Sequence, residues 1–157
     1  MDEEKIIEQM RNCLGAKLLD ASCPAQRRIF VKVNGADVTA AARCIRETVG
    51  ITHVSTISGV DTVKAFELLY HFADNRVCLT LRAIISRSEP EIETVTDFFP
   101  GAILYEREIQ DMLGIRIKNI PDPRPLVLPD DWPADNYPLR KDWVCTRPEK
   151  KIPGGKK

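Results

Sequence analysis

The residues with the densest chemistry lie between positions 106 and 142. Glu106, Arg107, Glu108 and Asp111 crowd one short stretch, and Asp122, Arg124, Asp131, Arg140 and Asp142 follow it. Carboxylates and guanidiniums in this mixture form planar, two-pronged ion pairs. Two carboxylates so close in sequence also raise general acid–base catalysis. Helical geometry argues against it, because side chains two positions apart project about 200° from each other. Glu106 and Glu108 therefore cannot flank one substrate. The spacing instead pairs Arg107 with Asp111 one turn on, worth about 0.3–0.5 kcal/mol if exposed. It leaves Glu106 and Glu108 to accept hydrogen bonds from Arg124, Arg140 or backbone N–H groups. Such a network pins one segment of chain to another, and part of it can face a partner.

The remaining reactive residue types show no site spacing. Cys13, Cys23, Cys44, Cys78 and Cys145 include no Cys-x-x-Cys pair, so neither zinc nor iron–sulfur ligation is indicated. An odd number of cysteines without a secretory leader predicts reduced, mostly buried thiols. His53 and His71 fall in strand-like segments, where a hydrogen-bonded structural histidine is expected. There is no glycine-rich phosphate loop and no nucleophile elbow.

Composition narrows the classes further. The chain has 157 residues with 23 basic and 23 acidic side chains, which removes the basic excess that nucleic-acid binding needs. No apolar run approaches the roughly 20 residues of a membrane span. The acidic start, Met1-Asp2-Glu3-Glu4-Lys5, has no apolar stretch behind it and does not resemble a secretory signal. These features predict a soluble, cytoplasmic protein.

The elements that must position the polar cluster can be read from periodicity. Residues 2–14 carry Ile6, Ile7, Met10 and Leu14 at helical spacing and stop at Gly15. Residues 28–33 alternate as a strand, and 37–48 form a second amphipathic helix with Asp37 as its N-cap and Gly50 past its end. Three strands follow at 52–58, 63–72 and 76–85, with turns at Gly59–Asp61 and Asp74-Asn75. Residues 86–93 read as a polar loop. A third helix, about 101–113, starts after Pro100, ends before Gly114 and has an apolar stripe of Ala102, Tyr105, Ile109 and Met112. The predicted class is α+β: a mostly antiparallel four-stranded sheet with helices packed on it, spanning residues 1–114.

From residue 115 the composition changes. Eight of the 11 prolines lie beyond it, which forbids ordinary helix or central strand. Yet Leu126, Val127, Leu128, Trp132, Tyr137, Leu139 and Trp143 are too apolar for a solvated linker. The prediction is an extended, partner-binding arm over 115–146, then a flexible basic tail over 147–157.

Three ordered motifs carry a resemblance. They are Glu106-Arg107-Glu108-Ile109-Gln110-Asp111-Met112-Leu113-Gly114-Ile115, then Pro121-Asp122-Pro123-Arg124, then Pro138-Leu139-Arg140-Lys141-Asp142-Trp143. Together with Phe66–Phe72 and the preceding His53–Ser58, they resemble the 30-kDa subunit family of respiratory NADH:quinone oxidoreductase, complex I. Where that family has His-Pro-Asp, this chain has Ile120-Pro121-Asp122. The compact length and the phrase Pro121-Asp122-Pro123-Arg124-Pro125-Leu126 look more like the version found in membrane-bound nickel–iron hydrogenases and other complex-I-like machines. The resemblance implies a noncatalytic subunit that binds no cofactor. Iron–sulfur clusters, and flavin or a nickel–iron centre, are then expected in other subunits. It also implies packing against a large catalytic subunit and a small iron–sulfur subunit, on the cytoplasmic side of the membrane. Residues that would bind the partner or pin the arm are Glu106, Arg107, Glu108, Asp111, Asp122, Arg124, Asp131, Trp132, Leu139, Arg140 and Asp142. The alternative is a stand-alone adaptor or small-molecule-binding domain of an unrelated assembly.

Overall fold

A computed structural model describes residues 2–144. Helix α1 (Asp2–Leu14) buries Ile6, Met10 and Leu14, and Gly15 ends it in the left-handed region at φ 53°. Strands β1 (Leu18–Ala25) and β2 (Arg28–Asn34) pair antiparallel. Helix α2 (Val38–Arg43) runs on as a wider π-turn over Cys44–Val49. Strands β3 (Val54–Asp61), β4 (Ala65–Ala73) and β5 (Cys78–Ser86) follow. A short strand β6 (Glu91–Glu93), helix α3 (Ile103–Leu113) and strand β7 (Arg116–Lys118) complete the order.

The main sheet has five strands in the order β1-β2-β5-β4-β3, one more than the four expected. The extra strand, β1, carries almost no periodic signal because nearly all of it is exposed and Pro24 interrupts it. All pairings are antiparallel except β2 with β5, which run parallel from Arg28↔Cys78 to Asn34↔Ile84. The crossover from β2 through α2, β3 and β4 inserts β5 beside β2. Alternation sets the core: in β4 every second residue, Phe66, Leu68, Tyr70 and Phe72, is fully buried. Ile29, Val31 and Val33 of β2 and Leu79, Leu81, Ala83 and Ile85 of β5 share that face with α1 and α2. On the opposite face Arg82 forms a two-pronged pair with Glu67, and His71 Nδ1 lies 3.0 Å from Thr80 Oγ1.

Several expectations need correcting. Asp37 does not cap α2; its carboxylate pairs with Lys17 at 3.5 Å instead. β3 continues through the expected turn to Asp61, and the chain reverses over Thr62–Lys64, with Val63 at φ 72°. The expected loop at 86–93 contains β6, which pairs parallel with β7. Beyond Gly114 the chain stays in the core for another turn, with Ile115, Ile117 and Ile120 buried. The following residues, to 144, form a succession of turns and bends rather than one extended strand. Residues 145–157, including Cys145 and the expected basic tail, lie outside the described residues.

Candidate functional site

Helix α3 and the ends of β3 and β5 hold the proline-rich segment at two separate points. The first is built on the solvent side of α3. Arg107, its side chain only 12% exposed, donates from Nε to the Arg124 carbonyl at 2.8 Å and from Nη2 to the Pro125 carbonyl at 3.0 Å. Its Nη1 reaches the Asp122 carboxylate at 3.1 Å. Arg124 closes the same loop by donating Nε and Nη2 to Asp122 at 2.8 and 2.7 Å. The two guanidiniums, Arg124 first, hold the Asp122 carboxyl well below the usual carboxylate range. One turn along α3, Asp111 Oδ2 accepts the backbone N–H groups of Leu126, Val127 and Leu128 at 2.7, 2.8 and 3.3 Å. The expected Arg107–Asp111 pair is therefore not made; both side chains reach across to the segment.

The second point lies where the Pro138–Trp143 motif crosses the ends of α3 and β3. Arg140 Nε donates to the Leu113 carbonyl at 2.7 Å, caps the end of α3, and stacks 4.4 Å from the Tyr137 ring centroid. Leu139 N–H adds a bond to the Met112 carbonyl at 3.0 Å. Asp61, with only 1% of its side chain exposed, accepts from Lys141 N–H at 2.9 Å, from Val63 N–H at 2.7 Å and from Arg87. The bond from Arg87 is the main reason its carboxyl is held far below the usual range. Arg87 also bridges to Asp142 at 3.0 Å and stacks on Phe66 at 5.0 Å, with Arg140 on the same ring at 5.2 Å.

Glu106 stands apart from both points. It is fully buried, where a flanking position on α3 was expected, and it accepts from Thr94 Oγ1 at 2.6 Å and Val95 N–H at 2.8 Å. Among the described residues no arginine reaches it. Burial pushes its carboxyl above the ordinary value, opposed by those two bonds. The α3 stripe is accordingly Ala102, Glu106, Ile109 and Leu113, with Tyr105 and Met112 only half-buried. Glu106 was misplaced because a charged residue is read as outward-facing unless its partners are known. Its partners, Thr94 and Val95, lie in a stretch with no periodic signal.

Of the other expected residues, Glu108 and Asp131 are exposed and make no hydrogen bond or ion pair among the described residues. Trp132 donates Nε1 to the Asn136 carbonyl at 2.7 Å, within the segment itself. Asp61, Phe66 and Arg87, the body's half of the second clamp, were missed. Asp61 reads as a turn residue and Arg87 as loop polarity. Nothing local signals that either meets residues more than fifty positions away.

The arrangement holds one segment of the chain against another. Among the described residues no three His, Cys, Asp or Glu side chains are placed to hold a metal ion. No described helix is long and apolar enough to cross a membrane. The clamps tie a proline-rich loop to the body while Leu126, Val127 and Leu139 remain 42%, 51% and 54% exposed.

Comparison with known proteins places this geometry. The chain is 35% identical to a subunit of the F(420)H(2) dehydrogenase of Methanosarcina mazei, over 91% of this chain and 92% of that one. It is 48% identical to formate hydrogenlyase subunit 5 of Escherichia coli over 64 residues, which are 41% of this chain but only 11% of that protein. Its fold matches a chain in the structure of the membrane-bound sulfane sulfur reductase, an archaeal respiratory membrane complex. There the TM-score is 0.73 at 22% identity, covering 92% of this chain and 86% of that one. Residues 31–149 match the family described as the respiratory-chain NADH dehydrogenase 30 Kd subunit, so it is to this family that the chain belongs.

Proposed function

We propose that the chain is a noncatalytic accessory subunit of a complex-I-like, membrane-associated oxidoreductase, of the NADH:quinone oxidoreductase or energy-converting nickel–iron hydrogenase type. It packs against the large catalytic subunit and a small iron–sulfur subunit and braces the peripheral electron-transfer arm. It carries no cofactor of its own; iron–sulfur clusters, and flavin or a nickel–iron centre, belong to its partners. Attachment to the membrane is indirect, on the cytoplasmic side.

One observation carries the reading: a proline-rich segment clamped at both ends, with apolar side chains left facing solvent between and beside the clamps. An apolar surface that the fold holds rigid and does not itself cover suits docking, because ordering costs have been met before the partner arrives. Family membership and the M. mazei relative support the same assignment. The E. coli relative supports a position beside another polypeptide, since its matched segment is embedded in a much longer chain.

The test is purification of the tagged chain from its own cells under mild detergent. Recovery of a large subunit with Cys-x-x-Cys pairs and a small iron–sulfur subunit is expected. A chain that elutes alone, or with a stoichiometric cofactor of its own, overturns the assignment.

A further inference from the structure

The sheet has two edges, and they are protected unequally. Edge strand β1 carries Pro24 and breaks register twice, between Leu18 and Asp20 and between Ser22 and Ala25. Prolines and bulges are how proteins keep a sheet edge from recruiting another chain. Edge strand β3 has neither proline nor lysine; its one register break, between Val54 and Thr56, lies at its start, and from Thr56 to Asp61 its register with β4 is unbroken. Its two ends are occupied: Tyr105 Oη donates to the Ser55 carbonyl at 2.9 Å, and Asp61 is held by Arg87 and Lys141. Between them, the outward backbone groups of Thr56–Val60 find no backbone partner among the described residues.

Beside this open stretch runs a groove of about 250 Å³. It is bordered by the four consecutive residues Thr56–Gly59, and across from them by Ile109, Met112 and Leu113 of α3 and by Leu139. Residues of both parities on one strand border this groove, as they do where a cavity runs along a strand's edge. Gly59 lets α3 pack close against the strand here, because a Cβ on it would overlap Leu113 Cδ1. The one charged residue of the lining is Glu108, exposed and unpaired among the described residues.

We propose that β3 accepts an extended strand from another subunit of the complex, which adds to the sheet along Thr56–Val60. Alternate side chains of the incoming strand rest on Ile109, Met112 and Leu139, and a Lys or Arg pairs with Glu108. Strand addition takes its affinity from main-chain hydrogen bonds and its selectivity from alternate side-chain positions. The unguarded edge supplies the first, and the apolar floor and lone carboxylate supply the second. This inference rests on the subunit reading above; its surface shares Leu139 with the clamped segment but is otherwise built on β3 and α3.

The experiment is backbone amide hydrogen exchange on the purified complex, compared with the isolated chain and with a Glu108→Lys complex. In the assembled complex the amides of Thr56–Val60 that point away from β4 should exchange at least about tenfold more slowly than in the free chain. Glu108→Lys should remove part of that protection without unfolding the free chain. A complex that assembles with these amides unprotected overturns the strand addition and leaves the subunit reading standing. Protection that ignores Glu108→Lys overturns the basic partner. If no complex is recovered at all, the subunit reading itself fails.

Discussion

The ring of Tyr137 occupies the space in which any residue other than glycine at position 114 would carry its Cβ. Gly114 also has φ 66°, the left-handed conformation that ends α3. One residue thus stops the helix and lets the returning segment lie against its end. Gly50 offers a natural control, with φ 82° and nothing within 4 Å of the position a Cβ would take. Each Gly→Ala change should cost roughly 1–2 kcal/mol from backbone conformation alone, read by urea unfolding. Only Gly114→Ala should also free residues 121–144 to limited proteolysis. Equal protease resistance in the two variants would show that the contact with Tyr137 is dispensable.

The first clamp depends on the shape of one guanidinium. Arg107 donates to two carbonyls and a carboxylate at once, which a lysine ammonium cannot reproduce. Arg107→Lys is expected to cost about 1–3 kcal/mol, because its partners are partly buried and charge-assisted. Asp111→Ala strands three N–H groups of Leu126–Leu128 and should loosen the same loop. Both variants should lower recovery of the large subunit in proportion to loop mobility, followed by protease nicking near Leu126. Wild-type recovery with a nicked loop would separate the clamp from assembly.

At the second clamp the buried partner dictates the outcome. Arg87→Ala leaves Asp61 almost fully buried without its cation, a change expected to destabilise by about 3–5 kcal/mol. The double variant Arg87→Ala/Asp61→Ala should lose less than the sum of the singles, by about 1–3 kcal/mol. A pH series checks the sign. The folded pKa of Asp61 lies below the ordinary 3.8, so its contribution is complete above about pH 4. That contribution disappears as acid carries the pH down through the folded value. Asp61→Asn should therefore unfold with a shallower acid dependence than wild type; identical acid curves would remove the ion pair from the account.

How far the sequence reveals this molecule depends on the range over which each signal acts. Helix α1, the strands β2 to β5 and α3 are legible because apolar periodicity is local, and helix-ending glycines at 15, 50 and 114 mark their limits. β1 escapes because an exposed edge strand has no face to bury, and β7 because three residues make no period. The parallel pairing of β2 with β5 is a tertiary choice with no local trace. Arg107, Asp111, Asp122 and Arg140 stand out in the sequence as fork-shaped donors and carboxylates near a proline-rich segment, but the pairs expected among them and with Glu106 and Glu108 are not the ones made. Their partners are not legible, because the pairs join α3 to a loop and two strand ends. Glu106 is the instructive failure: a carboxylate at an a-type position reads as surface until Thr94 and Val95 fold over it.

That buried carboxylate makes an inverse pH prediction. Burial raises the folded pKa of Glu106 above the ordinary 4.5, so the folded state binds the proton more readily than the unfolded chain. Its contribution is then fully favourable below about pH 4.5 and is lost as pH rises through the folded value, opposite to Asp61. The donors and charges that face it are few: Thr94 and Val95 donate to it, Thr96 backs Thr94 at 2.8 Å, and Tyr70 from β4, its phenol pushed up mainly by burial, lies close enough for the Glu106 charge to push it further. Glu106→Gln keeps an acceptor for Val95 N–H and can donate to Thr94 Oγ1, while carrying no charge at any pH. The variant should match wild type near pH 4 and become progressively more stable than wild type toward pH 8. Glu106→Leu, which leaves Val95 N–H and the Thr94 hydroxyl without an acceptor, should lose about 1–3 kcal/mol across the range. Chemical denaturation of the three chains between pH 4 and pH 8 decides the matter. A constant gap between wild type and Glu106→Gln would mean that the carboxyl keeps the same protonation in the folded and unfolded chain.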